Sequence, residues 1–249
     1  MNSRRFVPVL ALMLICATVN AQTKPTKPRA RDLGIPFDGA TGPLNAITDV
    51  AGVEVGLVTL ISGNGKLVTG KGPVRTGVTA VLPRGKNSTD QVFGAWFTLN
   101  GNGEMTGTTW IEESGYVEGP IMITNTHSVG IVRDGVIDWQ MRKHGKTMQP
   151  WSLPIVAETY DGFLNDINGF HVGADHAAQA LDQAASGPVA EGNTGGGTGM
   201  VAHGFRPALA LLHDVSQSKA RITPLVFWCK QTMERASDSR SRAFPSVVR

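Results

Sequence analysis

Short apolar runs alternate with helical patterns along most of the chain. Apolar and β-branched residues between glycine- and proline-bearing turns predict strands over 53–61, 77–82, 92–99, 120–125 and 155–157. Apolar positions recur with helical spacing over 128–143, and the string DHAAQALDQAA at 175–185 is typical of a second helix. Strands that alternate with helices in this way predict an α/β fold.

Both predicted helices carry residues that are typical of helix ends. Ser128 precedes the first helix and Gly145 follows it, while Gly135 lowers the helix propensity of its centre. Asp175 is the predicted N-cap of the second helix, and Gly187 is its predicted terminator.

The distribution of charge argues against a nucleic-acid partner. Residues 206–249 carry eight basic and three acidic side chains, whereas residues 22–205 carry thirteen basic and seventeen acidic ones, so the net charge of +3 is misleading. Proteins that bind nucleic acid gather Lys and Arg on one face, and the mildly acidic body has no such cluster in its sequence. With 41% apolar and 17% charged residues, the composition is that of a globular protein.

The first residues have the pattern of a secretory signal peptide. Arg4 and Arg5 precede an apolar stretch at 7–17, and small residues at 19–21 form a cleavage site, so 1–21 is the predicted signal. A polar, proline-bearing leader follows over 22–31. We therefore expect export, to a periplasm for example, with no membrane attachment after cleavage. Cys16 and Cys229 lie outside the body, so disulfide or thiol chemistry is not expected.

Candidate chemistry is concentrated between residues 153 and 200. Glu158 and Tyr160 follow the apolar run 155–157, at the end of a predicted strand, where α/β folds tend to place ligand sites. The loop 192–199 holds five glycines, so its backbone can approach a neighbour closely. It lacks the lysine of a P-loop, which favours a tight backbone crossing over a phosphate site, with Asn193 as a structural tether.

The histidines do not have the spacing of a metal site. His171 and His176 lie five residues apart across a loop-to-helix junction, which does not place them on one helical face, and no HExxH string occurs. Structural or solvated histidines are the favoured interpretation.

Several long strings resemble one enzyme family. AETYDGFLNDING, PVAEGNTGGGTGM, and RARDLGIPFDG with LNAITDVAGVEVG lie within about residues 29–205. They are similar to the L-aminopeptidase/D-esterase and β-peptidyl aminopeptidase family, which are autoprocessing hydrolases with an N-terminal serine nucleophile. The resemblance implies an αββα layered sandwich, of which residues 32–205 would form an incomplete N-terminal portion.

The same resemblance implies an activity and site residues. The activity is release of N-terminal residues from short peptides, amides or esters, without metal or cofactor, by an enzyme that is a homo-oligomer when intact. At AETYDG it implies that Glu158 binds the substrate's free ammonium and that Tyr160 lines the catalytic pocket. A carboxylate suits this task because a charge-assisted hydrogen bond to an ammonium is strong. A capping glutamate and a packed tyrosine are the alternative interpretation of the same residues.

The resemblance stops near Phe205. The family's nucleophilic serine begins a second subunit after self-cleavage, and an asparagine in a Q-A-N string supplies its oxyanion donor, but residues 206–249 contain neither feature. If the gene is read one base earlier, each new codon takes the last base of one residue's codon and the first two bases of the next. Whichever synonymous codons are used, the new codon encodes Val at Trp228–Cys229, Leu at Phe227–Trp228 and Gly at Met233–Glu234. Allowed synonymous codons then spell AGIGTASR and YTVGVLVQANYG, similar to the family's continuation.

We infer a frameshift near residues 205–206, which leaves 206–249 as an out-of-frame tail with a non-native-looking sequence. The chain as printed is then expected to be inactive, with an unpaired sheet edge and an exposed apolar face. Two alternatives remain open at this point: an exported pseudoenzyme or binding remnant, and an acyltransferase of the ornithine acetyltransferase type.

Overall fold

A computed structural model describes residues 28–98, 101–145 and 151–201. The predicted signal peptide, most of the predicted leader and the predicted out-of-frame tail lie outside the described residues. No helix in the described part of the chain is both long and apolar enough to cross a bilayer.

Six strands and three α-helices make up the described chain. In order they are β1 (Glu54–Ser62), β2 (Val74–Leu82), β3 (Val92–Phe93), α1 (Thr108–Ser114), β4 (Tyr116–Val117), β5 (Ile121–Asn125), α2 (Val129–His144), β6 (Ile155–Thr159) and α3 (Ala174–Gln183). The main sheet has the strand order β1-β2-β5-β6, and β3 pairs with β4 separately. Only β5 and β6 are parallel, and the other pairs are antiparallel.

The structure confirms the α/β class and the strands predicted at 53–61, 77–82, 120–125 and 155–157. The strand predicted at 92–99 is wrong, because only Val92 and Phe93 pair and the next residues leave the sheet. Gly94 follows at once, and a Cβ atom there would collide with the side chain of Val117.

The predicted helix ends are partly wrong. Gly173, rather than Asp175, is the N-cap residue of α3, and Asp175 lies in the first turn, where its charge still favours the helix dipole. The helix ends at Gln183 with Ala184 as its C-cap residue, before Gly187. Ser128 does occupy the N-cap position of α2, but its hydroxyl makes no capping hydrogen bond. Gly145 ends α2 as predicted, with its N–H donating to the carbonyl of Met141.

The core lies between the main sheet and two helices. Val58, Val78, Met122 and Val156 come from the four strands, and α2 and α3 cover them with the buried residues Val129, Val132, Val136, Trp139, Ala177, Ala180 and Leu181. The apolar residues Val129, Val132 and Val136 follow the predicted helical spacing in α2, and this spacing places them on the buried side of the helix.

Gly135 allows the two helices to approach closely. A Cβ atom at Gly135 would lie 3.0 Å from the carbonyl oxygen of Ala174 and 3.1 Å from the Cβ of Ala177. One turn later, the indole N–H of Trp139 donates to Asp182 at 2.8 Å. The low helix propensity of glycine is therefore offset by helix packing.

The opposite face of the sheet carries the glycine-rich loop. Its 3-10 turn, Gly195–Gly197, lies across β1, β2 and β5, and hydroxyls on the sheet satisfy its backbone. The N–H of Gly195 donates to Thr59 at 2.8 Å and that of Gly196 to Thr79 at 3.0 Å. A Cβ atom at Gly196 would lie 2.5 Å from the carbonyl oxygen of Ile123, so only glycine fits. The predicted tight crossing is thus observed.

Each outer strand of the sheet has backbone partners along part of its length, so the expected unpaired edge is interrupted at these residues. On β6, the N–H of Thr106 donates to Val156 at 3.0 Å and the N–H of Glu158 donates to Glu104 at 3.0 Å. On β1, Val55 pairs with Ala185 through two backbone hydrogen bonds. Apolar side chains of the loop-bearing face, such as Ile61 at 45% exposure, remain partly open to solvent.

The close contact between β1 and α3 gives a stability prediction. A Cβ atom at Gly56 would collide with the carbonyl oxygen of Ala180, so we expect Gly56→Ala to lower the free energy of unfolding by about 1–3 kcal/mol or more. Gly130→Ala in α2 is the control, since no atom lies within 4 Å of its Cβ position. Urea denaturation of both variants measures the difference, and equal stabilities would contradict the packing described.

Candidate active site

The parallel pairing of β5 and β6 brings their carboxyl ends together. Asn125 lies opposite Thr159, and Thr124 lies opposite Glu158. The polar residues that follow β5, Thr126 and His127, therefore adjoin Glu158 and the segment that begins at Tyr160. The sequence predicted a site at the end of β6, and the structure adds the end of β5 to it.

Glu158 is the penultimate residue of β6, and its side chain is partly buried. Its Oε2 accepts a hydrogen bond from the hydroxyl of Thr126. The backbone of Gly103 passes close by, because a Cβ atom there would lie 2.9 Å from Oε1 of Glu158. One carboxylate oxygen is thus held by a hydroxyl, and the other accepts no hydrogen bond from the described residues and can accept one from a ligand.

Tyr160 is 48% exposed and lies over the turn that follows it. Its ring meets Phe163 edge to face at 5.3 Å between centroids, and its phenol oxygen would lie 2.8 Å from a Cβ atom on Gly162. Within the described part of the chain the hydroxyl makes no hydrogen bond. The arrangement leaves that hydroxyl available to a bound molecule.

A buried polar cluster lies directly behind this surface. Asp161 is 1% exposed, and its carboxyl accepts hydrogen bonds from Thr76 and, at 3.0 Å, from the amide of Asn165. Thr76 in turn accepts from the amide of Asn125 at 2.8 Å, and Asn165 accepts from the backbone N–H of Arg75 at 2.9 Å. These links connect β2, the end of β5 and the segment after β6.

The direction of each hydrogen bond in the cluster follows from its neighbours. The Arg75 N–H is a donor only, so it fixes Asn165 with its oxygen toward β2 and its NH2 toward Asp161. Thr76 has one hydroxyl proton, and since it accepts from Asn125 it donates to Asp161. Asp161 is therefore an acceptor toward both Asn165 and Thr76, a role for which the ionised form is best suited.

Burial raises the pKa of Asp161 to about 6, because desolvation of the charged form outweighs the hydrogen bonds from Thr76 and Asn165 and the charge of His127. The cluster thus holds a carboxyl group whose ionisation costs folding free energy, beside the two residues that the resemblance assigns to the site.

The histidines near the site have structural partners. His171 Nε2 lies 2.9 Å from Oδ2 of Asp166, which also accepts from the N–H groups of Gly70 and Gly72. Desolvation opposes ionisation of Asp166, but the hydrogen bonds from His171 and the two glycines outweigh it and hold its pKa below the ordinary value. His176 Nδ1 accepts from the N–H of Gly173. No group of three potential metal ligands occurs among the described residues.

Three of the strings that carry the family resemblance touch one another. Arg29 forms an ion pair with Glu191 and donates to the carbonyls of Leu44 and Asn45, both at 2.5 Å. Asn193 accepts from the N–H of Gly199 at 2.9 Å, which is the predicted tether of the glycine-rich loop. These residues shape the scaffold rather than the surface around Glu158.

The sequence profile of peptidase family S58 matches residues 45–209. The chain belongs to this family. Two proteins named β-peptidyl aminopeptidase BapA are similar to it: that of Sphingosinicella microcystinivorans is 61% identical over 206 residues, and that of Sphingosinicella xenopeptidilytica is 49% identical over 201. These alignments cover 83% and 80% of this chain but 50% of each relative, so the chain spans about half their length.

Solved structures place this S58 chain in the Ntn hydrolase fold. The L-aminopeptidase D-Ala-esterase/amidase of Ochrobactrum anthropi, a prototype of the serine aminopeptidases with a variant of that fold, matches with a TM-score of 0.66 and 52% identity. The match covers 72% of this chain and 51% of that one. A β-aminopeptidase of Burkholderia sp. matches with a TM-score of 0.65 and 49% identity, over 72% and 49% of the two chains.

Sequence reasoning missed most of the polar groups around Glu158. Thr126, Asn125 and Asp161 were not selected, although the polar string Asn125–Ser128 follows a buried apolar run as Glu158 does. The signal that could have found them is a polar residue at the carboxyl end of each of two parallel strands. Thr76 had no such signal, because it lies near the amino end of β2, which runs antiparallel to β5.

The buried carboxyl group gives the S58 chain a predicted pH dependence. The pKa of Asp161 is higher in the folded state than its ordinary value, so the folded state binds more protons than the unfolded state from about pH 4 to about pH 6. Its contribution to stability is therefore present at low pH and lost as the pH rises through that window, by on the order of 2–3 kcal/mol.

We expect Asp161→Asn, which cannot ionise, to lack this loss. Relative to the wild type, its free energy of unfolding should rise between about pH 4 and about pH 7, whatever constant cost the altered hydrogen bonds add. Urea denaturation at both pH values measures the difference. A wild type and variant that stay parallel across the window would contradict the raised pKa.

Proposed function

We propose that the protein, read in the restored frame, is an exported serine aminopeptidase that releases N-terminal residues, β-amino acids among them, from short peptides and amides. The observation that carries the proposal is the partly buried carboxylate of Glu158, held by Thr126 beside the open hydroxyl of Tyr160. The names of the similar proteins, β-peptidyl aminopeptidases and an L-aminopeptidase, support the substrate class.

Glu158 would bind the free ammonium of the substrate. Thr126 occupies one of its oxygens and orients the carboxylate, and the other oxygen would accept a charge-assisted hydrogen bond from the ammonium. Such a site selects peptides with an unblocked terminus, because a neutral blocked amine leaves the carboxylate without a cationic partner. It also places the scissile bond of the first residue at a set distance from Glu158.

Tyr160 would act on the reacting group near that bond. Its hydroxyl is open and its ring is held by Phe163, so it can donate to a developing oxyanion or steady the nucleophile. The nucleophile itself would be a serine released by self-cleavage, whose own terminal amine serves as the base. In this proposal the serine belongs to the reading frame that continues the family's sequence beyond residue 205, in a second subunit.

The frame gives the most direct test of the proposed function. We expect the chain as printed to lack self-cleavage and aminopeptidase activity, because catalytic groups that act as a unit leave no proportionate remainder when one is lost. A gene corrected by one base near codon 205 should yield a protein that cleaves itself into two subunits and hydrolyses aminoacyl anilides. Both genes are expressed side by side and assayed by mass spectrometry and anilide release. Hydrolysis by the purified printed chain would overturn the frameshift.

In the frame-restored protein, Glu158→Gln should weaken the use of free-amine substrates by about 2–5 kcal/mol in kcat/KM, with self-cleavage largely intact. The matched control is Glu104→Gln, which removes an exposed carboxylate from the segment paired with β6 while its backbone contact to Glu158 remains. Aminoacyl anilides and their N-acetyl forms are compared. Equal kinetics for the two variants would remove Glu158 from the site.

Tyr160→Phe separates a catalytic role from packing. The hydroxyl has no partner within the described residues, so the variant should keep its stability to within about 0.5 kcal/mol. If the hydroxyl acts in the reaction, kcat should fall by about a hundredfold, the usual scale for one oxyanion-type donor. Thermal melting and turnover are measured on the same preparation. Full turnover would assign Tyr160 to packing alone.

The rivals to this proposal give different results in the same assays. An acyltransferase would pass an acyl group to an added amine instead of water, and product analysis would detect the amide. A binding remnant would retain substrate at Glu158 without turnover in either frame. Export is tested separately, by fractionation of cells that express the corrected gene.

A further inference from the structure

Phe170 has a strained backbone conformation although its side chain is exposed. Its φ of 52° and ψ of 48° lie in the left-handed region, which bulky residues rarely adopt. The side chain is 67% exposed, so burial of its ring does not offset the strain. Backbone strain of this kind persists where the surrounding fold imposes it, and it concentrates at functional sites.

The position of Phe170 relates it to the candidate active site. Its ring stacks on the imidazole of His127, with 5.9 Å between centroids and 22° between planes. His127 directly follows Thr126, which holds the carboxylate of Glu158. The stack therefore places an exposed phenyl ring next to the end of β5, against the residue that follows the hydrogen-bond partner of Glu158.

Two further exposed aromatic rings come from the same segment. Tyr160 and Phe163 are 48% and 66% exposed and contact each other edge to face. The segment from Tyr160 to Phe170 thus presents three open rings, of which one lies two residues after Glu158 and one stacks on the residue after Thr126, although the chain buries smaller apolar residues elsewhere. An exposed apolar group beside a charged anchor suits a ligand that carries a cation and an apolar group close together.

We propose that Phe170 determines specificity at this site, as the apolar wall against which the side chain of the substrate's N-terminal residue packs. The inference rests on the proposed function. In a free-amine substrate, that side chain branches from the backbone one or two bonds from the ammonium bound by Glu158. Such a wall favours large apolar and aromatic N-terminal residues over β-alanine or glycine.

The left-handed conformation supplies a test that ordinary packing does not. Phe170→Gly removes the ring and relieves the strain, so the melting temperature should stay unchanged or rise. The same variant should lose kcat/KM for a phenylalanyl or β-homophenylalanyl anilide by about tenfold or more, and keep it for the β-alanyl anilide. Phe170→Leu, which keeps an apolar side chain, should retain a larger share of the preference.

The experiment uses the frame-restored protein and compares the ratio of kcat/KM for the two anilides. Phe93→Ala is the control, because it removes an 86% exposed ring from β3 that stacks on Tyr116 rather than on His127. The ratio of kcat/KM for the two anilides should be the same in Phe93→Ala as in the wild type. An unchanged ratio in Phe170→Gly, or a lower melting temperature with equal loss for both substrates, would overturn the inference. An inactive wild type would instead overturn the proposed function, and this inference with it.

Discussion

Backbone pairing between β5 and β6 is the constraint on which the candidate active site depends. The two strands are parallel, so the connection through α2 must return the chain to the same end of the sheet, and both carboxyl ends then face the same region. The register puts Thr124 beside Glu158 and Asn125 beside Thr159. Thr126, which follows Asn125, can therefore reach the carboxylate of Glu158. A slip of one residue would turn Glu158 to the face that carries the glycine-rich loop. The helical core fixes that register, since Val156 is fully buried under α2.

The two faces of the sheet are covered in different ways. One face buries side chains under α2 and α3, and the other accepts the backbone of Gly195–Gly197 against threonine hydroxyls. Polar residues on the second face are thus satisfied by main-chain groups, which is why an antiparallel sheet can carry them. The same arrangement explains why glycine is required in the loop, because its backbone must lie directly against the strands.

The site combines several features that reduce stability. Asp161 is buried with a raised pKa, Phe170 is held in a left-handed conformation, and three aromatic rings face solvent. The rest of the fold follows local propensity and apolar pattern closely. Departures from those rules that cluster in one segment are typical of functional sites, where structure is shaped by a ligand as well as by folding. The cluster around Asp161 also ties the segment to β2.

The sequence by itself determined the class of fold, most strands, the helix that becomes α2 and the position of Glu158 and Tyr160. These are local properties: apolar period, glycine and proline at turns, and a polar residue at the end of a buried run. It also determined the family, because several long strings agree in order. Helix ends were predicted less accurately, because the N-cap residue of α3 is Gly173 and Asp175 lies in the first turn of the helix.

Only the tertiary structure decided which distant residues share the site. Thr76 and Asp161 are far apart in sequence, and their contact depends on antiparallel pairing of β2 with β5 and parallel pairing of β5 with β6. The backbone strain at Phe170 and its stack on His127 likewise have no local signature. Apolar pattern specifies which side of an element is buried, whereas the partner that it meets is specified by strand order and register.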